Sequence, residues 1–75
     1  MVMVGYYDNT NGDLKFAKSS DGGASWPTIV TVDSTGNVGK FNSIALNGSN
    51  VYISYYDTTN GDLKLAKSID GGLTW

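Results

Sequence analysis

Short alternations of apolar and polar residues, each closed by a cluster of Gly, Asn, Asp, Ser or Thr, run the length of this chain. In residues 50–57, NVYISYYD, the side chains of Val51, Ile53 and Tyr55 fall on one side of an extended strand and Tyr52, Ser54 and Tyr56 on the other. Residues 61–68, GDLKLAKS, set Leu63 and Leu65 opposite Lys64 and Ala66, and residues 41–46, FNSIAL, make a third short run. A fourth, residues 26–33, WPTIVTVD, carries Pro27, which lacks an N–H for a sheet ladder and so suits the start of an edge strand. No segment has a 3.6-residue apolar period. The pattern predicts an all-β chain.

The turn signals are as informative as the strands. Asn47-Gly48-Ser49-Asn50 separates the run at 41–46 from the run at 50–57, and Asn60-Gly61 supplies the left-handed backbone that a hairpin into 61–68 needs. Asn47-Gly48-Ser49 is also a formal N-glycosylation sequon. Lys15, Lys18, Lys64 and Lys67 alternate with apolar residues, which predicts a solvated strand face that discourages edge-to-edge pairing.

The same text occurs twice. Residues 6–26, YYDNTNGDLKFAKSSDGGASW, return at residues 55–75 as YYDTTNGDLKLAKSIDGGLTW, an offset of 49 with 16 of 21 positions identical. Residues 1–5 align with residues 50–54, so the first residues already lie inside a unit and do not read as a cleavable signal segment. With four strands per period labelled A to D from residue 41, the chain reads B-C-D-A-B-C. That divides it into residues 1–33, carrying strands B-C-D, and residues 34–75, carrying strands A-B-C. A repeat of this period marks a supersecondary unit that buries its apolar face only by stacking on a neighbour.

Within the repeat, Ser19-Ser20-Asp21-Gly22-Gly23-Ala24-Ser25-Trp26 and Ser68-Ile69-Asp70-Gly71-Gly72-Leu73-Thr74-Trp75 follow the pattern S-x-D-x-G-x-[ST]-W. This resembles the Asp-box, or BNR repeat, of sialidases and of many propellers without that activity, where it forms the hairpin between the third and fourth strands of a blade. The resemblance covers the whole chain and implies β-propeller blades of antiparallel strands, about one and a half of them, belonging to a larger or oligomeric propeller. The residues explain themselves as folding chemistry. Asp21 and Asp70 accept backbone N–H bonds inside the turn, Gly23 and Gly72 take positive φ, Ser19, Ser25, Ser68 and Thr74 bond locally, and Trp26 and Trp75 bury a ring beside the next blade.

Composition limits the chemistry that could be hung on this frame. Histidine, cysteine, arginine and glutamate are absent, and the titrating groups are seven Asp, five Lys and five Tyr. A sialidase-like site needs an arginine cluster for the substrate carboxylate and a Tyr–Glu nucleophile pair, and neither can be drawn from this inventory. The expectation is therefore no enzyme, no catalytic residue and no cofactor. Neither disulfide nor thiolate zinc can add stability to so short a chain. A net charge of −2 argues against nucleic acid, and the apolar runs are too short for a membrane helix.

Three binding possibilities survive. Tyr6, Tyr7, Tyr55 and Tyr56 recur once per unit and could contact a glycan or protein, multivalently if the ring repeats them. Asp8, Asp13, Asp57 and Asp62, spaced with amide oxygens around the Asn-Gly turns, form a weak calcium pattern that a plain hairpin already explains. Exposed blade faces and sheet edges predict self-association, with copies of the chain completing a propeller ring. The resemblance also carries two alternatives: a stretch of a sialidase-like glycoside hydrolase whose catalytic residues lie outside these 75, and an amplified or designed repeat with no ligand. An extracellular or cell-surface setting is implied by the resemblance alone.

Overall fold

The computed structural model of the chain describes every residue, 1–75. Six strands follow one another with no helix: β1 (Val2–Asp8), β2 (Asp13–Ser19), β3 (Thr28–Asp33), β4 (Val38–Asn47), β5 (Asn50–Asp57) and β6 (Asp62–Ser68). They form two three-stranded antiparallel sheets, β1-β2-β3 and β4-β5-β6, joined by residues 34–37. Each sheet is a meander, because each strand pairs with the next one in the chain. Pro27 lies just outside β3, an edge strand, where its missing N–H removes nothing from the ladder.

Two local features differ from the sequence expectation. The hairpin loops around Asn-Gly have four residues, since Asp8 pairs with Asp13 and Asp57 with Asp62. Only the glycines, Gly12 (φ 72°) and Gly61 (φ 71°), are left-handed, and their N–H groups donate to the carbonyls of Asp8 and Asp57 at 2.7 and 2.8 Å. A two-residue mirror-image turn would need the asparagines at positive φ too. In addition, β4 begins at Val38, not Phe41, and its pairing with β5 slips at Val38–Lys40 and again at Lys40–Ser43. Phe41 sits in that irregular stretch at φ 55° and is 86% exposed.

The alternating residues of each strand define two faces per sheet, and the pairing register shows which residues share one. On the first sheet, Met3, Gly5 and Tyr7 of β1 pair with Lys18, Phe16 and Leu14 of β2, and together they make its front. On the second sheet, Val51, Ile53 and Tyr55 of β5, with Ile44 of β4 and Ala66 of β6, make the back. The front of the first packs on the back of the second. Leu14, Phe16, Val38, Val51, Ile53 and Tyr55 form the buried cluster between them, flanked by Met3, Val32, Ile44, Ala66 and Trp75.

The repeat makes this packing directional. Leu14 and Phe16 are fully buried, while their counterparts 49 residues on, Leu63 and Leu65, are 81% and 65% exposed. Val51 and Ile53 are fully buried, while Val2 and Val4 are 37% and 39% exposed. Each type of face is buried in one sheet only, and its copy in the other sheet stays in solvent.

Close backbone approach fixes the seam at the β4 end. Gly39, at φ 111°, lies against β2, and a β-carbon there would come within 2.9 Å of the Leu14 α-carbon. Gly48, in the turn between β4 and β5, has φ 61° but open space around it. Gly39→Ala is therefore expected to cost about 3 kcal/mol, backbone strain plus overpacking, and Gly48→Ala about 1 kcal/mol, strain alone. Urea midpoints of the two variants check this, and equal shifts would refute the close-approach explanation.

Candidate functional site

The two S-x-D-x-G-x-[ST]-W segments fold as near-identical closed turns at the ends of β2 and β6. In the first, the Ser19 hydroxyl donates to Asp21 at 2.7 Å and accepts from the Gly23 N–H at 2.9 Å, and the Ser25 N–H donates to Asp21 at 2.9 Å. In the second, Ser68, Asp70, Gly72 and Thr74 repeat those contacts at the same distances. The Ser25 and Thr74 hydroxyls complete the set by donating to the second carboxylate oxygen. Gly22, Gly23, Gly71 and Gly72 all have positive φ, as the turn needs. Ser19 and Ser68 are buried in both copies, so the turn forms by itself whether or not a sheet packs on it.

These donors hold the turn carboxylates in the ionised form. Asp70 is lowered from 3.8 to about 2, first by the Thr74 hydroxyl and then by the Ser68 hydroxyl, and Asp21 is lowered by the equivalent Ser25 and Ser19. An acid so occupied is a poor proton donor and has few free lone pairs for a ligand.

The tryptophans diverge. Trp75 donates from its indole nitrogen to the Gly72 carbonyl at 2.9 Å and meets Phe16 edge-on, ring centroids 5.2 Å apart. Phe16 is pressed so closely on Gly72 that a β-carbon there would lie 2.4 Å from the ring. Over Gly23, only its own Trp26 ring comes near. The same turn is thus capped by a neighbouring sheet in one copy and open in the other.

The calcium candidates are turn residues. Asp8 accepts from the Thr10 N–H at 3.1 Å and from the Asn11 amide side chain at 2.9 Å, and Asp57 accepts from the Asn60 side chain at 2.8 Å. The Asn11 and Asn60 side chains are the leading cause of the lowered Asp8 and Asp57 titrations. Asp13 and Asp62 stand opposite them across the hairpin mouths, and no three acidic groups converge at either turn.

The four repeated tyrosines occupy unlike surroundings. Tyr55 is 4% exposed and donates to Asp33 at 2.7 Å, whereas its counterpart Tyr6 is half-buried. Tyr7 donates to the Asn37 side chain at 2.7 Å, with the Lys40 ammonium 5.5 Å from its ring centroid. Its counterpart Tyr56 lies on the free front of the second sheet, against Phe41 at 6.3 Å between centroids. The fold therefore does not offer one tyrosine site twice.

The polar tie between the sheets was not visible in the sequence. Asp33, at the end of β3, accepts from the Thr35 N–H at 2.9 Å, from Tyr55, and from the Lys64 ammonium at 3.2 Å. Burial works to raise the Asp33 titration, and these three donors outweigh it and lower it. Burial and then Asp33 push the Tyr55 phenol up, which keeps it a neutral donor. Lys64, expected on a solvated face, instead points at this seam. Asn37 is the second tie: its N–H donates to the Thr59 hydroxyl at 2.7 Å, and its carbonyl accepts from the Thr58 N–H at 2.9 Å. Neither Asp33 nor Asn37 has a counterpart inside the chain, so the repeat could not single them out.

Compared with protein-family models, with curated proteins and with solved structures, the chain matches none.

Because Asp21 and Asp70 titrate below their ordinary value when folded, the stability they supply is full above about pH 4. It is lost as pH falls toward about 2, the folded Asp70 value. Urea midpoints should hold level near neutral pH and drop across that window. In the double variant Asp21→Asn, Asp70→Asn the midpoint at neutral pH should be lower and the acid slope shallower. An unchanged slope would mean that the turns do not hold these carboxylates.

Proposed function

We propose that this chain is a non-catalytic repeat module of the β-propeller kind, a scaffold whose Asp-box turns fold and pin sheets that stack front to back. The observation that carries the proposal is the packing of two repeat-equivalent sheets through opposite faces, with Leu14 and Phe16 of one against Val51, Ile53 and Tyr55 of the other. That is how successive blades of a propeller meet, and it gives each repeated apolar residue a use in stacking.

The polar residues support the same assignment. Asp8, Asp21, Asp57 and Asp70 direct their carboxylates into their own turns. Tyr55, one of the four repeated tyrosines, donates its hydroxyl to Asp33 and has no glutamate to activate it as a nucleophile. Without arginine, a substrate carboxylate finds no guanidinium fork. A stretch of a longer sialidase-like hydrolase would share the stacking, but its chemistry would have to come from residues other than these.

Two measurements on the purified chain test the assignment. A fluorogenic sialoside should be hydrolysed no faster than in buffer, and the β circular-dichroism signal should be lost in one cooperative urea transition. Turnover that vanishes in Tyr55→Phe would overturn the non-catalytic assignment. A broad, non-cooperative loss of signal would overturn the scaffold.

A further inference from the structure

We infer that the chain docks head to tail on a second copy of itself, the free front of its second sheet seated on the free back of the next copy's first sheet. Such docking presupposes the scaffold role proposed above. The template for the contact lies inside the molecule, because the chain already makes it once between its own two sheets.

The parts of the internal contact made by β1, β2, β5, β6 and the turn after β6 have vacant counterparts 49 residues away, whereas Val38, Gly39, Asp33 and Asn37 have none. Inside the chain, Phe16 is the peg, and Gly72 with Trp75 is the socket. In the second sheet the peg is Leu65, 65% exposed, and in the first Asp-box the socket is Gly23 with Trp26, with nothing but the Trp26 ring near Gly23. Inside the chain, Ile53 packs on Gly5, its side chain 3.3 Å from where a β-carbon would stand. The vacant pair is Val4, 39% exposed, and Ser54. The sizes compensate: the larger Ile53 faces the glycine, and the smaller Val4 faces the serine, so the sheets can reach the same separation.

The two free faces differ, so the contact is heterologous. Front meets back, and the partner is left with a free front of its own. The seam also has a stated boundary. Leu14 is covered inside the chain by Gly39 of β4, and the first sheet has no strand in that position. Leu63, the counterpart of Leu14, therefore stays at the rim of the docked pair and contributes less than Leu65.

Light scattering on a size-exclusion column, over a concentration series of the full chain, tests this. The mass should rise to a multiple of 8.0 kDa. Leu65→Asp, which blocks the front, and Val4→Asp, which blocks the back, should each return it to the single-chain mass with the β signal retained, while Leu63→Ser should weaken association less than Leu65→Asp. An equimolar mixture of Leu65→Asp and Val4→Asp should form a dimer, because the first keeps an intact back and the second an intact front. Leu65→Phe, which installs the peg used internally, should tighten association several-fold. A folded wild-type chain that stays single at all concentrations overturns the docking and leaves the scaffold standing. Association that survives Val4→Asp, or a mixture that fails to pair, overturns the head-to-tail geometry. A wild-type chain with no β signal overturns both.

Discussion

The seating of Leu14 and Phe16 on the back of the second sheet is the contact on which the rest of this small protein depends. Each three-stranded sheet has an apolar face that stays in water until another layer covers it, and this contact covers one such face on each sheet. Full burial of side chains such as Leu14, Phe16, Val51 and Ile53 supplies about 1.5–3 kcal/mol each. The Lys64–Asp33 pair, with Lys64 38% exposed, belongs to a class worth at most about 1 kcal/mol. Apolar seating therefore supplies the stability. The polar tie of Asp33, Tyr55 and Lys64 joins the end of β3 to β5 and β6 of the other sheet.

The turns built on Asp21 and Asp70 work on a shorter scale. Their bonds run over two to four residues, so each turn closes on itself at the mouth of its own sheet. What stacking adds is the fate of the turn's outer surface. Phe16 lies over Gly72 because a side chain there would occupy the ring's place, and Trp75 closes the side of the same contact. The glycine thus serves the turn through its backbone and the interface through its missing side chain. A residue conspicuous as a turn former is also the floor of a socket.

Front-to-back stacking has a consequence that front-to-front stacking lacks. Two sheets that met through equivalent faces would satisfy each other and end the assembly. Here each sheet uses a different face, so any finite stack of such units keeps one front and one back unless it closes into a ring. Leu63 and Leu65 at one end, with Val2 and Val4 at the other, are the exposed remainder. Phe41, held at positive φ in the irregular start of β4 and turned against Tyr56, extends the free front with an aromatic surface.

The sequence by itself determined everything that depends on neighbours a few residues apart. Strand alternation at 50–57, the glycines at positive φ and the Ser-Asp-Gly-Ser/Thr bonding of both turns are short-range matters of backbone sterics and local hydrogen bonds, and all six strands occur in the expected order. The four-residue length of the Asn-Gly loops was out of reach, since it is set by which residues pair across the hairpin. Tertiary structure alone decided which copy of each repeated residue is buried. Leu14 and Leu63 stand in nearly the same local text, as do Tyr6 and Tyr55, and the neighbours that differ, Phe16 against Leu65 and Gly5 against Ser54, do not say which copy is covered. The difference lies in what packs against each from another sheet. Asp33 and Asn37 likewise acquire their roles only when the sheets meet, because their partners, Thr35 apart, are 21 to 31 residues away along the chain. Local chemistry specifies the strands and turns of each sheet, and burial by a neighbour assigns each of its faces.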